Sequence, residues 1–228
     1  VGVNYEDISP NMINALIATE DARYYSHTGI DFKSLIRAIA KLGKAGGGST
    51  ITQQLAKQLW SPRANNIFER ALQKPIEWVI ATKLERLYSK EEILTMYLNQ
   101  FDFLYNAVGI KSAAQVYFST TPDKLTIEEA AMLVGMCKNP SMYNPRRRPE
   151  RALNRRNTVL DQMCKYGYLT TQACDSLQAL PVEIKYQSVD HKQGLAPYFR
   201  EYLRQVLTAK EPKKSHYSEW NEHQYDID

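Results

Sequence analysis

The sequence has no run of 18 or more apolar residues, so no stretch of it reads as a membrane-spanning helix. Cysteine is scarce. Cys137, Cys164 and Cys174 are odd in number and form no Cys-x-x-Cys pair, so neither a disulfide framework nor a cysteine zinc site is indicated, and the redox compartment stays open. Charge of one sign is also lacking: a net +4 and a pI near 8.8 are too mild to point to nucleic acid, although they suit an anionic substrate or an anionic membrane surface. Ten glycines, ten prolines and 43% hydrophobic residues in 228 describe an ordinary globular chain, neither disordered nor repetitive, with ample length for a core.

What is present is helical periodicity. Ser9-Pro10 reads as an N-cap followed by proline in the first turn, after which Ile13, Leu16, Ile17 and Glu20 fall at i, i+3, i+4 and i+7. A carboxylate on that apolar stripe is partly desolvated, and it lies near the helix C-terminus, where the dipole disfavours ionisation. Both effects raise its pKa, which suits Glu20 to general acid or base work, with Asp21, Arg23 and His27 close enough in sequence to build a polar site. The plainer alternative is a glutamate at a fraying helix end.

Asp31 reads as the N-cap of a second helix carrying Phe32, Leu35, Ile36, Ile39 and Leu42. The run Gly46-Gly47-Gly48 then delivers the chain to Ser49-Thr50-Ile51-Thr52-Gln53-Gln54, where Thr50 and Gln53 have capping-box spacing. Free N–H groups and a positive dipole end at such a helix start make a place for an anion. Gln54, Lys57, Gln58 and Ser61 form a polar face opposite Ile51, Leu55 and Leu59, so a cation and two amides can meet one ligand. A glycine linker and a solvated helix face would give the same pattern.

Ser61 to Asn66 reads as a loop holding Arg63. The helical pattern that follows is interrupted by Pro75; whether the helix restarts there or is kinked, Glu77 lies within a turn of it, and a restarted helix would keep Glu77 ionised at its positive end. Glu77, Ile80, Ala81, Leu84 and Tyr88 share a face, which turns Glu77 inward and places Glu85 and Arg86 on the solvated side. Capping boxes at Ser89/Glu92 and Thr126/Glu129 open two further helices, Phe101 to Gly109 is aromatic and irregular, and Ile110 to Phe118 is a short helix. Six arginines crowd into eleven residues, Arg146, Arg147, Arg148, Arg151, Arg155 and Arg156, either as a solvated face or to meet lipid headgroups or phosphate. Composition shifts at Pro181, whose neighbours through Tyr186 alternate like a strand. Two segments are expected, 1–180 as the main domain and 181–228 as a linker and the truncated start of something further, with a helix at 197–207 and a polar end.

Taken together these motifs resemble the peptidoglycan glycosyltransferases, glycosyltransferase family 51, over roughly Ile8 to Met163. The resemblance rests on Glu20-Asp21-x-Arg23-Tyr24-x-x-His27-x-Gly29, with tyrosine where phenylalanine is usual. It continues with Gly48-Ser49-Thr50-Ile51-Thr52-Gln53-Gln54-Leu55-x-Lys57, where Gln58 replaces asparagine, and with Lys74-x-x-Glu77 through Ser89-Lys90-x-Glu92 to Tyr97-Leu98-Asn99, where Gln73 replaces arginine. Gly109-Ile110-x-x-Ala113-Ala114-x-x-Tyr117-Phe118 follows, with Ser119-Thr120 in place of glycine-lysine. Last come Tyr143-Asn144-Pro145 and Arg155-Arg156-x-x-Val159-Leu160.

The resemblance implies a mainly α, lysozyme-like, two-lobed helical domain with a short β or linker segment at its C-terminal end. It implies polymerisation of lipid II, with Glu20 and Glu77 catalytic and Asp21, Arg23, His27, Ser49, Thr50, Gln53, Gln54, Lys57, Arg63 and Lys74 binding substrate. No cofactor is obligatory; a divalent cation, Mg or Mn, is admitted, with Glu77 as its candidate ligand. The implied partners are lipid II, the nascent glycan and a membrane surface, not nucleic acid. The implied location is the extracytoplasmic, periplasmic face of the bacterial cytoplasmic membrane, with an N-terminal anchor and a C-terminal transpeptidase domain that this sequence does not include. A glycan hydrolase or lytic transglycosylase of lysozyme-like fold, and a silent membrane-proximal interaction module, are the competing readings. Lys57, Arg63, Lys74 and Gln54 favour a pyrophosphate-bearing donor over an uncharged glycan.

Overall fold

The computed structural model describes residues 2–40, 48–60 and 67–187, with the side chains of 38, 39 and 67–72 left out of the account. Leu42, Gly46, Gly47, Ser61, Arg63 and the expected helix at 197–207 therefore lie outside the described residues. Among those described, the chain is mainly helical: α1 (Pro10–Glu20), α2 (Phe32–Ala40), α3 (Ile51–Trp60), α4 (Ile67–Leu87), α5 (Lys90–Gln100), α6 (Gly109–Phe118), α7 (Ile127–Cys137), α8 (Pro149–Lys165) and α9 (Thr171–Gln178). Residues 1–187 form one compact unit and 188–228 another.

Local chemistry sets most helix starts. The Ser9 hydroxyl accepts the Asn11 N–H ahead of Pro10, and capping boxes close at Thr50/Gln53, Ser89/Glu92 and Thr126/Glu129 as their spacing requires. Asp31 starts α2 by accepting the Ser34 N–H and hydroxyl. The core is built around α7, whose residues from Ala130 to Cys137 are all buried, between α1 and α8. A second group packs α3 against α4 and α5, with α6 on α5.

One open choice is decided and three expectations are corrected. Helix α4 does not restart at Pro75 but continues through it, so Glu77 lies in a helix interior with no N-terminal dipole beside it. Tyr88 is exposed rather than inward. Glu85 is turned inward, taking the Thr52 hydroxyl at 2.6 Å and the Lys90 ammonium at 2.8 Å. Residues 181–187 form no strand but an extended strap along the end of α6: the Lys185 and Gln187 N–H groups donate to the Tyr117 and Val116 carbonyls, and Val182, Ile184 and Tyr186 pack on the core. Ser119 adopts φ 53, the left-handed region in which glycine is unstrained, so serine there costs about 1 kcal/mol. Its hydroxyl donates to the Lys185 carbonyl at 2.8 Å, which ties the strap down.

Candidate active site

Glu20 ends α1, and its carboxylate faces the second helix group. Gln54 of α3 donates its amide N–H to Glu20 Oε2 at 3.0 Å, and the Tyr97 hydroxyl of α5 donates to Gln54 Oε1 at 3.1 Å. Burial pushes the Tyr97 hydroxyl well above its ordinary pKa, with Cys137 and Glu20 adding to the effect, so it stays protonated and fixes the amide with its NH2 toward Glu20. From the other side Arg155 Nη2 of α8 stands 3.6 Å from Glu20 Oε1, both side chains being largely buried. Arg155 passes α7 at Gly135, where a Cβ would stand 3.1 Å from Arg155 Cγ, tighter than an ordinary contact. Its Nε is buried without a partner, its guanidinium lies over the Tyr143 ring, and with Lys138, Arg151 and Asn154 it lines a cavity of about 380 Å³. Arg155 is the site residue that sequence reasoning did not single out.

The rest of the first motif is engaged within the protein. Asp21 caps α1, accepts from His27 Nε2 at 3.0 Å and takes the Ile51 N–H at 3.1 Å, so the anion at the start of α3 is the chain's own carboxylate. Arg23 grips Asp31 through both Nε and Nη2. The Tyr24 hydroxyl, the group phenylalanine would lack, donates to the Lys90 carbonyl at 2.8 Å. Gly29, at φ +90, lies so close to α4 that a Cβ would stand 2.9 Å from the Ala81 carbonyl, while its own carbonyl accepts the Thr50 hydroxyl at 2.6 Å. This contact brings the loop, the start of α3 and the Glu77 turn of α4 together. Gln53 is buried in the capping box.

Glu77 is buried and paired with Lys74 at 2.7 Å, and the Lys74 ammonium also lies 3.4 Å from the Ser49 hydroxyl. Lys57 is exposed and makes no ion pair with the described residues. The site thus presents a carboxylate between an amide and a guanidinium, a second carboxylate held by an ammonium, and an exposed ammonium on α3 that is unpaired among the described residues. Among the described residues no three His, Cys, Asp or Glu side chains are grouped to hold a metal ion.

The family model described as transglycosylase matches residues 2–164. The chain belongs to the transglycosylase family. It is similar to penicillin-binding protein 1A of Escherichia coli, 40% identical over 213 residues that make up 91% of this chain and 24% of that protein. It is similar to penicillin-binding protein 1F of Bacillus subtilis at 37% over 217 residues, 93% of this chain and 29% of the relative. The crystal structure of penicillin-binding protein 1A from Haemophilus influenzae aligns with a TM-score of 0.43 and 25% identity over 75% of this chain and 21% of that one. The chain spans about a quarter of the length of these curated relatives. As a member of the transglycosylase family it is a peptidoglycan glycosyltransferase domain of the class A penicillin-binding protein type.

Proposed function

We propose that the domain polymerises lipid II by inverting transfer, with Glu20 as general base. The single observation that carries this reading is the placement of the Glu20 carboxylate between the Gln54 amide and Arg155, beside a helix that also bears the exposed Lys57. The 4-hydroxyl of the acceptor GlcNAc attacks the donor's anomeric carbon, which carries a polyprenyl pyrophosphate in the α configuration, and a β-1,4 bond forms as the pyrophosphate leaves. Glu20 takes the hydroxyl proton. Lys57 meets the negative charge that develops on the leaving group, and Lys74, oriented by Glu77, supplies a second cation. A Mg or Mn ion, brought by the pyrophosphate, would find in Glu77 one carboxylate already paired to an ammonium, and no step here depends on it.

An uncharged glycan gives Lys57 and Lys74 nothing to bind, which counts against the hydrolase alternative. Phe32 and Ile36 on α2, Trp60 at the end of α3, and Ile76, Val79 and Leu87 on α4 are exposed apolar residues, and they support a lobe that rests on the membrane carrying the lipid-linked donor. No helix among the described residues is long and apolar enough to cross that membrane. Extracytoplasmic placement, anchorage by a preceding segment and a following transpeptidase domain belong to the same reading. Incubation of the chain with lipid II in detergent should give glycan polymer on a gel. Release of sugar from lipid-free glycan with no polymer from lipid II would establish the hydrolase instead.

A further inference from the structure

Helices α8 and α9 form an antiparallel hairpin whose register is fixed by polar contacts. The Gln178 side-chain amide donates to the Asn157 carbonyl at 3.1 Å and to Asp161 Oδ1 at 2.6 Å. Asn157, Asp161 and Cys164 lie at i, i+4 and i+7 on one face of α8, and Cys174 and Gln178 at i and i+4 on α9. One step from the Gln178 contacts toward the connecting turn, the register therefore sets Cys174 opposite Cys164. The turn itself is tied, with the Gly167 N–H donating to the Cys164 carbonyl and the Tyr168 N–H to the Met163 carbonyl. Cys174 is buried and Cys164 half-buried, and both pack against the same core on the facing sides of the hairpin. Cys137 stands apart from them, beside Glu20, Tyr97 and Arg155.

We propose that Cys164 and Cys174 are a built thiol pair that closes into one disulfide, stapling the α8–α9 hairpin, by exchange with a disulfide oxidant of the glutathione class. The more exposed Cys164 thiolate attacks the oxidant's disulfide, forming a mixed disulfide and releasing one glutathione thiolate. The Cys174 thiolate then attacks the Cys164 sulfur and displaces the second, so two cysteine thiols are oxidised, the oxidant takes up two electrons, and the two thiol protons pass to solvent or to the released thiolates. Burial raises the Cys174 thiol above its ordinary pKa, which makes it the second sulfur to react. In the cell the bridge depends on the extracytoplasmic placement proposed above, because cytosolic reductants would keep the pair open.

The test equilibrates the purified chain in oxidised glutathione. The expected result is loss of two titratable thiols and about 2 Da, a peptide map joining Cys164 to Cys174, and a rise in Tm of roughly 5 °C. Cys164→Ser and Cys174→Ser should each abolish the bridge and the rise, whereas Cys137→Ser should keep both. Three thiols still titrating at equilibrium, or a bridge that includes Cys137, would overturn the pair. Acid-quenched cells separate the two premises: a bridge formed by the purified chain but absent in cells upholds the pair and overturns the extracytoplasmic placement.

Discussion

Helix α7 and helices α2 and α4 all carry large apolar side chains, on α4 among many charged ones, and those side chains meet opposite fates. Every residue of α7 from Ala130 to Cys137 is buried between α1 and α8, while Phe32 and Ile36 of α2 and Ile76, Val79 and Leu87 of α4 stay exposed, Ile36 to 66%. The difference lies in available partners, since α7 finds its own within the chain and the outer faces of α2 and α4 do not. Exposed side chains at helical spacing on two neighbouring stretches of sequence make a surface whose proposed partner is lipid, and the candidate site lies where the enclosed half meets the other. Chemistry should therefore fail when the junction is cut, stability when the enclosed half is cut, and membrane attachment alone when the outer face is cut.

The largest effect is expected at the junction. Glu20→Gln keeps the shape and loses the proton acceptor, so lipid II polymerisation measured on gels should fall about 10²-fold or more while the Tm barely moves. Next comes the enclosed half, where buried Arg156 donates to the Gln178, Leu180 and Pro181 carbonyls. Arg156→Leu leaves those acceptors without their donor and should cost about 3 kcal/mol in a denaturant titration. Lys57→Ala should lower polymerisation roughly tenfold or more, with Lys57→Arg retaining part of the activity, and leave cleavage of any lipid-free glycan unchanged. The smallest effect on the protein itself is expected from Ile36→Ser with Val79→Ser, which should change stability by under about 0.5 kcal/mol yet weaken sedimentation with anionic vesicles. Equal vesicle binding by that variant would dissolve the contrast between the two halves.

What could be read in the sequence was local. The capping boxes at Thr50, Ser89 and Thr126 involve residues three apart, and periodicity alone set Glu20 and Glu77 on inward faces. Arg155 stood in a motif and in a run of six arginines, but its role was not legible, because nothing local shows that it reaches a carboxylate more than half the chain away. Glu85 was misread for a related reason: Thr52 and Lys90, which neutralise and bind it, come from other helices, and a single-helix wheel cannot contain them. Pro75 left restart and kink both open. A proline removes one backbone hydrogen bond and strains one turn, and the surrounding packing of α4 on α3 and α5 outweighs that. Domain limits were legible only as composition, and the compact unit continues past the shift at Pro181 to Gln187 because Arg146 stacks on Tyr186 and Tyr105.

The strap has a mechanical meaning. Tension arriving from residue 188 enters the body through the Gln187–Val116 and Lys185–Tyr117 hydrogen bonds, so it is borne first by the end of α6. From there the load passes through the Tyr117 hydroxyl, which accepts from Asn144 at 2.7 Å and donates to the Phe103 carbonyl at 2.6 Å, into the loops at either side. Through α6 on α5, and through Arg156 on the Leu180 and Pro181 carbonyls, the same anchor is joined to the helices that carry Tyr97 and Arg155, so a tug on the tail bears on the groups around Glu20.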